Sequence, residues 1–113
     1  GILGVAFKPD VGDAREAPAT HVLAGLRERG AEVRFHDPHI AHFRDAGGRT
    51  DASTPLADLL GWAELLVIVT AHRAIDWDAV YASGDLILDT VNASRNRAPR
   101  PRQVLRLGAG WSA

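Results

Sequence analysis

The sequence predicts a three-layer α/β sandwich of the doubly wound type, built on a Rossmann-like parallel sheet of four to five strands. Short apolar runs alternate with amphipathic helical patterns along the chain, the order that right-handed crossovers require. The 113 residues suffice for one compact domain and not for two, and at this length no disulfide or metal staple is needed. Apolar residues at 46% and charged residues at 24% are ordinary globular usage, which excludes a disordered chain.

The elements follow in order. Gly1–Phe7 is mostly aliphatic and reads as a buried first strand, stopped by Lys8-Pro9. A polar loop, Asp10 to Glu16, leads to a helix over about 17–29, with Pro18 in its first turn. Ala19, Val22, Leu23 and Leu26 fall at i, i+3, i+4, i+7 and give that helix one buried stripe, and Gly30 caps its end. Glu32–His36 is the second strand, closed by Asp37-Pro38. Residues 39–53 fit no single pattern; Ile40 and Phe43 suit a short helix before a Gly47-Gly48 loop. Thr54-Pro55 reads as an N-cap followed by Pro at the first helical position, opening a helix striped by Leu56, Leu59, Leu60 and Ala63. Leu65–Thr70, rich in β-branched residues, is the third strand; a short helix spans about 76–82; Asp85–Asp89 and Gln103–Leu107 complete the sheet. The segment from Ser94 to Arg106 holds Pro99, Pro101 and several Arg and reads as an irregular connection.

Composition also narrows the function. The net charge of −1 supplies no bulk field toward nucleic acid or anionic lipid. No apolar run reaches about 18 residues and no signal peptide opens the chain, so no membrane partner and a cytoplasmic location are expected. With no Cys there is no thiolate zinc site and no cysteine nucleophile. The absence of Met and the immediate apolar start suit a piece of a longer protein. Of 13 cations 12 are Arg and one, Lys8, is Lys.

Ligands of doubly wound sheets collect beyond the carboxyl ends of the strands, where strand order reverses. In the usual order 2-1-3-4(-5) that point lies between the first and third strands, so Lys8 and the stretch Thr70-Ala71-His72-Arg73 meet there. Two readings of the Asp10–Glu16 loop stand side by side: a phosphate site at a helix N-terminus, or plain capping and solvation. The loop is neither G-x-G-x-x-G nor a Walker motif.

The run from Leu3 to Ala19, with Gly4-Val5-Ala6-Phe7-Lys8 and Asp13-Ala14-Arg15-Glu16-Ala17-Pro18, closely resembles the opening of the C-terminal domain of UDP-glucose/GDP-mannose dehydrogenases. Gly30-Ala31-Glu32-Val33, His36-Asp37-Pro38-His39, Val67–His72 and Ile87–Thr90 follow in the family's order, so the resemblance spans essentially the whole chain, 1–113. It implies an oxidoreductase that takes the C6 alcohol of a nucleotide sugar to a carboxylate with two NAD+. The cofactor NAD and the catalytic Cys would then belong mainly to N-terminal and central domains outside this chain, and the parent would be a homodimer or larger. By this resemblance Phe7 and Lys8 bind substrate and Arg15 touches NAD, with no catalytic residue in the fragment itself. From its switch-point position His72 is either a cleft-lining residue or an ordinary loop His, and Arg95 is a further cleft-lining candidate. A mobile point charge such as the Lys8 ammonium suits a diphosphate. The family's Asp-[GT]-Arg after the fourth strand is here Asp89-Thr90-Val91, so either Arg95 or Arg97 reaches the same place from a longer loop or the substrate is gripped differently.

His36, Asp37, His39 and His42 have metal-ligand types, but alternate strand residues face apart and Pro38 breaks the element, so no metal is expected. Asp37 is assigned a turn role with its Pro. The Arg residues at 95, 97, 100 and 102 lack interleaved aromatics, which argues against nucleic acid. Trp62, Trp77 and Trp111 read as core or interface, and no Ser sits in a nucleophile elbow. The competing function classes are a non-catalytic nucleotide- or phosphate-binding α/β module and a flavodoxin-like signalling domain, the latter disfavoured because no acidic pair ends the first strand.

Overall fold

The structure, a computed structural model, describes residues 1–113. In chain order the strands are β1 (Ile2–Leu3), β2 (Phe35–His36), β3 (His42–Arg44), β4 (Thr50–Ala52), β5 (Leu66–Ile68), β6 (Ile87–Asp89), β7 (Val104–Arg106) and β8 (Gly110–Trp111). The helices are α1 (Ala19–Glu28), α2 (Leu56–Trp62) and α3 (Trp77–Ser83). The main sheet runs β2-β1-β5-β6-β7-β8, parallel except for β8, which returns antiparallel on β7. The expected order 2-1-3-4-5 is therefore present, with an unexpected sixth strand at the edge. Trp111 lies on that strand, exposed beneath the Arg102 guanidinium at 5.2 Å, and contributes nothing to the core.

Alternation along the central strands sends successive side chains to opposite faces. Ile2 and Val67 pack under α1 with Leu23, Val33 and Phe35, while Leu3, Leu66 and Ile68 pack under α2 and α3 with Leu59, Val80 and Ile87. Two apolar clusters on one sheet are what make three layers. The α1 stripe behaves as its spacing predicts: Ala19 and Leu23 are buried, and Val22 and Leu26 pack against the same cluster. Its end is a Schellman closure, with Gly30 at φ 89° donating to the Arg27 carbonyl and Ala31 to that of Leu26.

Four expectations need correction. Residues 42–52 form an antiparallel hairpin, not a helix: Phe43 points inward between exposed His42 and Arg44, a two-residue period. Thr54 does not cap α2; Pro55 occupies the cap position without a side-chain bond, and Thr54 joins the end of β2 by donating its N–H to the Phe35 carbonyl. The first strand stops at Leu3 rather than Phe7, because Gly4 takes φ 79° and turns the chain. At α1 the Thr20 and His21 amides donate back to Ala17 and Pro18, so that helix end does not present a row of free N–H groups. No helix is long and apolar enough to cross a membrane.

Candidate functional site: a cleft at the carboxyl ends of the strands

Because β1 lies between β2 and β5, the segments that follow these three strands meet above its end. Gly4 turns away at once, and its missing Cβ is required: one built there would stand 2.0 Å from the Thr70 carbonyl oxygen. The segment Val5–Asp10 then crosses the sheet mouth as a loop held by side chains instead of strand pairing. Val5 and Ala6 donate their N–H groups to Asp37 Oδ2 at 2.8 and 3.0 Å, and Thr70 Oγ1 donates to the Ala6 carbonyl at 2.7 Å. The Phe7 N–H reaches the Asp13 carbonyl at 2.7 Å. At the far end the Asp10 N–H donates to His72 Nδ1 at 2.8 Å, and the Asp10 carboxylate accepts from the Arg73 N–H and Nε.

Asp37 and His72 are the buried centre of this arrangement, 3% and 0% exposed. His72 Nε2 lies 2.8 Å from Asp37 Oδ2, and Asp37 Oδ1 accepts the His39 N–H. Burial pushes the Asp37 carboxyl upward, but bonds from Val5, His39, His72 and Ala6 outweigh it and hold the group below the usual Asp range. The turn role expected for Asp37 thus understates it, and His72 does not line an open cleft; it lies beneath the loop. The side chain of Trp77 covers the same corner, its indole N–H donating to the His72 carbonyl at 2.8 Å.

Above this floor opens a cleft of about 630 Å³, lined by Phe7, Lys8, Trp77, Asn92, Arg95 and Arg97 among others. Lys8 makes no ion pair or hydrogen bond, and the Phe7 ring is 56% exposed. Arg95 is also exposed and unpaired, whereas Arg97 is bound to Asp78 at 2.9 Å and lies over the Tyr81 ring. The loop bearing Arg95 is shaped by a second buried carboxylate. Asp89 Oδ1 accepts the Val91 and Ala93 N–H groups, its Oδ2 accepts that of Ser94, and the Ser94 hydroxyl bonds Tyr81. Val91, where the resembled pattern has Arg, lies exposed on the cleft wall. Two unpaired cations beside exposed aromatic surface can hold an anionic ligand with a flat ring.

Arg15 stands apart. It lines no part of this cleft and lies in a shallow depression with Gly12, His42 and Arg44. Its guanidinium grips Asp13 through Nε and Nη2 at 3.0 and 2.8 Å, and these bonds take the Asp13 carboxyl down to about 2. The four metal-type residues at 36–42 do not converge, since His36 Nδ1 bonds the Thr54 carbonyl and Asp37 faces inward. Asp10, His39 and His72 do bring ligand-type atoms within 4.8 Å, yet both His72 nitrogens are engaged, by Asp10 N–H and Asp37. Sequence reasoning passed over the Asp37–His72 pair. Its signal was the strand order itself, which sets the ends of the second and third strands on either side of the first.

The fold and the cleft define a doubly wound α/β domain with an open cleft at the switch point, where sheets of this type take their ligands. Comparison with known proteins gives the family: residues 1–96 match the UDP binding domain of the UDP-glucose/GDP-mannose dehydrogenase family. The chain belongs to this family, as its C-terminal domain. It is 31% identical over 100 residues to a UDP-glucose 6-dehydrogenase of Rhizobium meliloti, covering 83% of this chain and 23% of that protein. A UDP-N-acetyl-D-mannosamine dehydrogenase of Methanococcus maripaludis is 31% identical over 71 residues, 63% of this chain and 15% of that protein. Among solved structures, a UDP-D-ManNAc dehydrogenase from Pyrococcus horikoshii superposes with TM-score 0.58 at 27% identity, over 78% of this chain and 20% of that one. The chain thus spans less than a quarter of the length of these relatives.

Proposed function

We propose that this chain is one domain that binds the nucleoside diphosphate portion of a UDP-sugar, working within a longer NAD-dependent dehydrogenase that oxidises the sugar C6 alcohol to a carboxylate. The single observation that carries this reading is the unpaired Lys8 ammonium at the mouth of the switch-point cleft, facing the same space as unpaired Arg95. Lys8 neutralises the diphosphate, Arg95 adds a second positive charge, and the Phe7 ring offers a flat apolar face to the base or sugar. Nothing in this chain supplies hydride acceptance. The first turn after β1 holds one glycine in Gly4-Val5-Ala6 and no pyrophosphate cradle, so NAD would be held chiefly elsewhere, with the Arg15 guanidinium as this chain's contribution. Such sharing places the reaction between domains, and self-association of the parent protein follows the same reading.

Titration of the chain with UDP tests it. A charge-assisted hydrogen bond contributes about 1.5–3 kcal/mol, so Lys8→Ala weakens binding by roughly ten- to a hundredfold. Unchanged affinity in that variant removes the assignment. The competing class, a phosphate module without dehydrogenase partners, predicts the same loss for inorganic phosphate and no preference for the uridine nucleotide.

A further inference from the structure

We infer that Asp37 and His72 form a positioning pair that splices the two ends of the Val5–Asp10 loop and so fixes where Lys8 and Phe7 stand in the cleft. The inference rests on the nucleotide reading above for its ligand, but its geometry is independent of it. One carboxylate oxygen, Asp37 Oδ2, holds the loop's entry through the Val5 and Ala6 amides. The same oxygen meets His72 Nε2, and His72 Nδ1 holds the loop's exit through the Asp10 amide. An amide N–H can only donate, so Nδ1 must carry a lone pair, and the remaining ring proton sits on Nε2 and points at Asp37. The imidazole is thereby assigned to the neutral Nε2–H tautomer, and that tautomer alone satisfies both ends of the loop.

The pair touches no part of the cleft and is therefore not catalytic; it acts through Lys8. Strand pairing cannot do this work, because Gly4 ends β1 before the loop begins. Neither partner is replaceable by solvent, since both side chains are wholly buried. A second copy of the same device closes the other wall, where Asp89 holds the Val91–Ser94 turn, but there the carboxylate acts without a histidine.

The test uses this chain with three measurements: the ring nitrogen NMR signals of His72 in the unsubstituted protein, amide exchange, and UDP affinity. Unprotonated Nδ1 with protonated Nε2 is expected; a charged ring or the Nδ1–H tautomer overturns the inference without any variant. His72→Leu should then speed exchange at Val5, Ala6 and Asp10 while Ile2, Val67 and Ile68 keep their protection, and weaken UDP about tenfold. His72→Gln, whose amide offers a donor and an acceptor at similar separation, should recover most of both effects. Exchange that rises evenly across the sheet in the substituted chains means a merely structural histidine and overturns the pair, as does unaltered loop exchange. Should His72→Leu fail to fold, His72→Gln and the tautomer decide. If the unsubstituted chain ignores UDP, the nucleotide reading falls while loop exchange and tautomer still judge the pair.

Discussion

Gly4 shows how one residue can shape the whole mouth. At φ 79° it occupies the left-handed region, and the Thr70 carbonyl fills the place where its Cβ would stand. Gly4→Ala must both strain the backbone and push Thr70 away, so a loss of about 3 kcal/mol in urea unfolding is expected. A loss under about 1 kcal/mol would show that the loop can leave the sheet cheaply. Lys8, by contrast, was legible in position: the stop after an apolar run put it beyond the first strand. Phe7, read as that strand's last residue, stands instead in the loop because Gly4 ends the strand at Leu3. His72 was legible in position but not in environment. Polar residues after a strand are ordinarily solvated, and only the loop folded above it buries this one completely.

At the scale of elements, the β3–β4 hairpin is the piece that local patterning left open. Its strands are three residues each, too short for period counting to separate from a helical turn. What stabilises the hairpin is distant in sequence. Arg27, in the last turn of α1, donates to Asp45 and Asp51 at 2.6 Å each and to the Val33 carbonyl at 3.0 Å. Asp45 is nearly inaccessible, so removing its cation leaves a buried charge without a partner. Arg27→Leu is accordingly expected to cost about 3 kcal/mol in chemical unfolding, with Asp45 titrating closer to the ordinary Asp range. Replacing Arg49, whose contact with Asp51 is exposed and 3.3 Å long, should cost less than 1 kcal/mol in the same assay. The helices were easier to read, since α1 carries a full apolar stripe and a glycine stop within its own sequence.

For the whole molecule, the buried carboxylates set the acid limit. Burial raises the Asp37 and Asp45 carboxyls, yet hydrogen bonds to backbone amides, and to His72 or Arg27, hold both below the ordinary value of 3.8. A lowered folded value means stability that is complete above that ordinary value and is lost as pH falls through the lower folded values. Unfolding free energy should therefore stay nearly flat from neutrality to about pH 5 and decline steeply below about pH 4. Asp37→Asn should flatten that decline, and an equally steep decline in this variant would remove Asp37 from the account. The sequence by itself determined the alternation of strands and helices in the main sheet, and with the usual order of such sheets, 2-1-3-4-5, it put Lys8 at the switch point. The alternation follows from periodicity and turn residues, which are properties of neighbouring residues, and the order from the general arrangement of doubly wound sheets. Only the tertiary structure decided that Arg15 lines a different depression from Lys8 and that Asp37 and His72 lock the loop between them. Those contacts join residues 35 and 62 positions apart, and no local pattern encodes which side chains meet when separate loops fold over one sheet end.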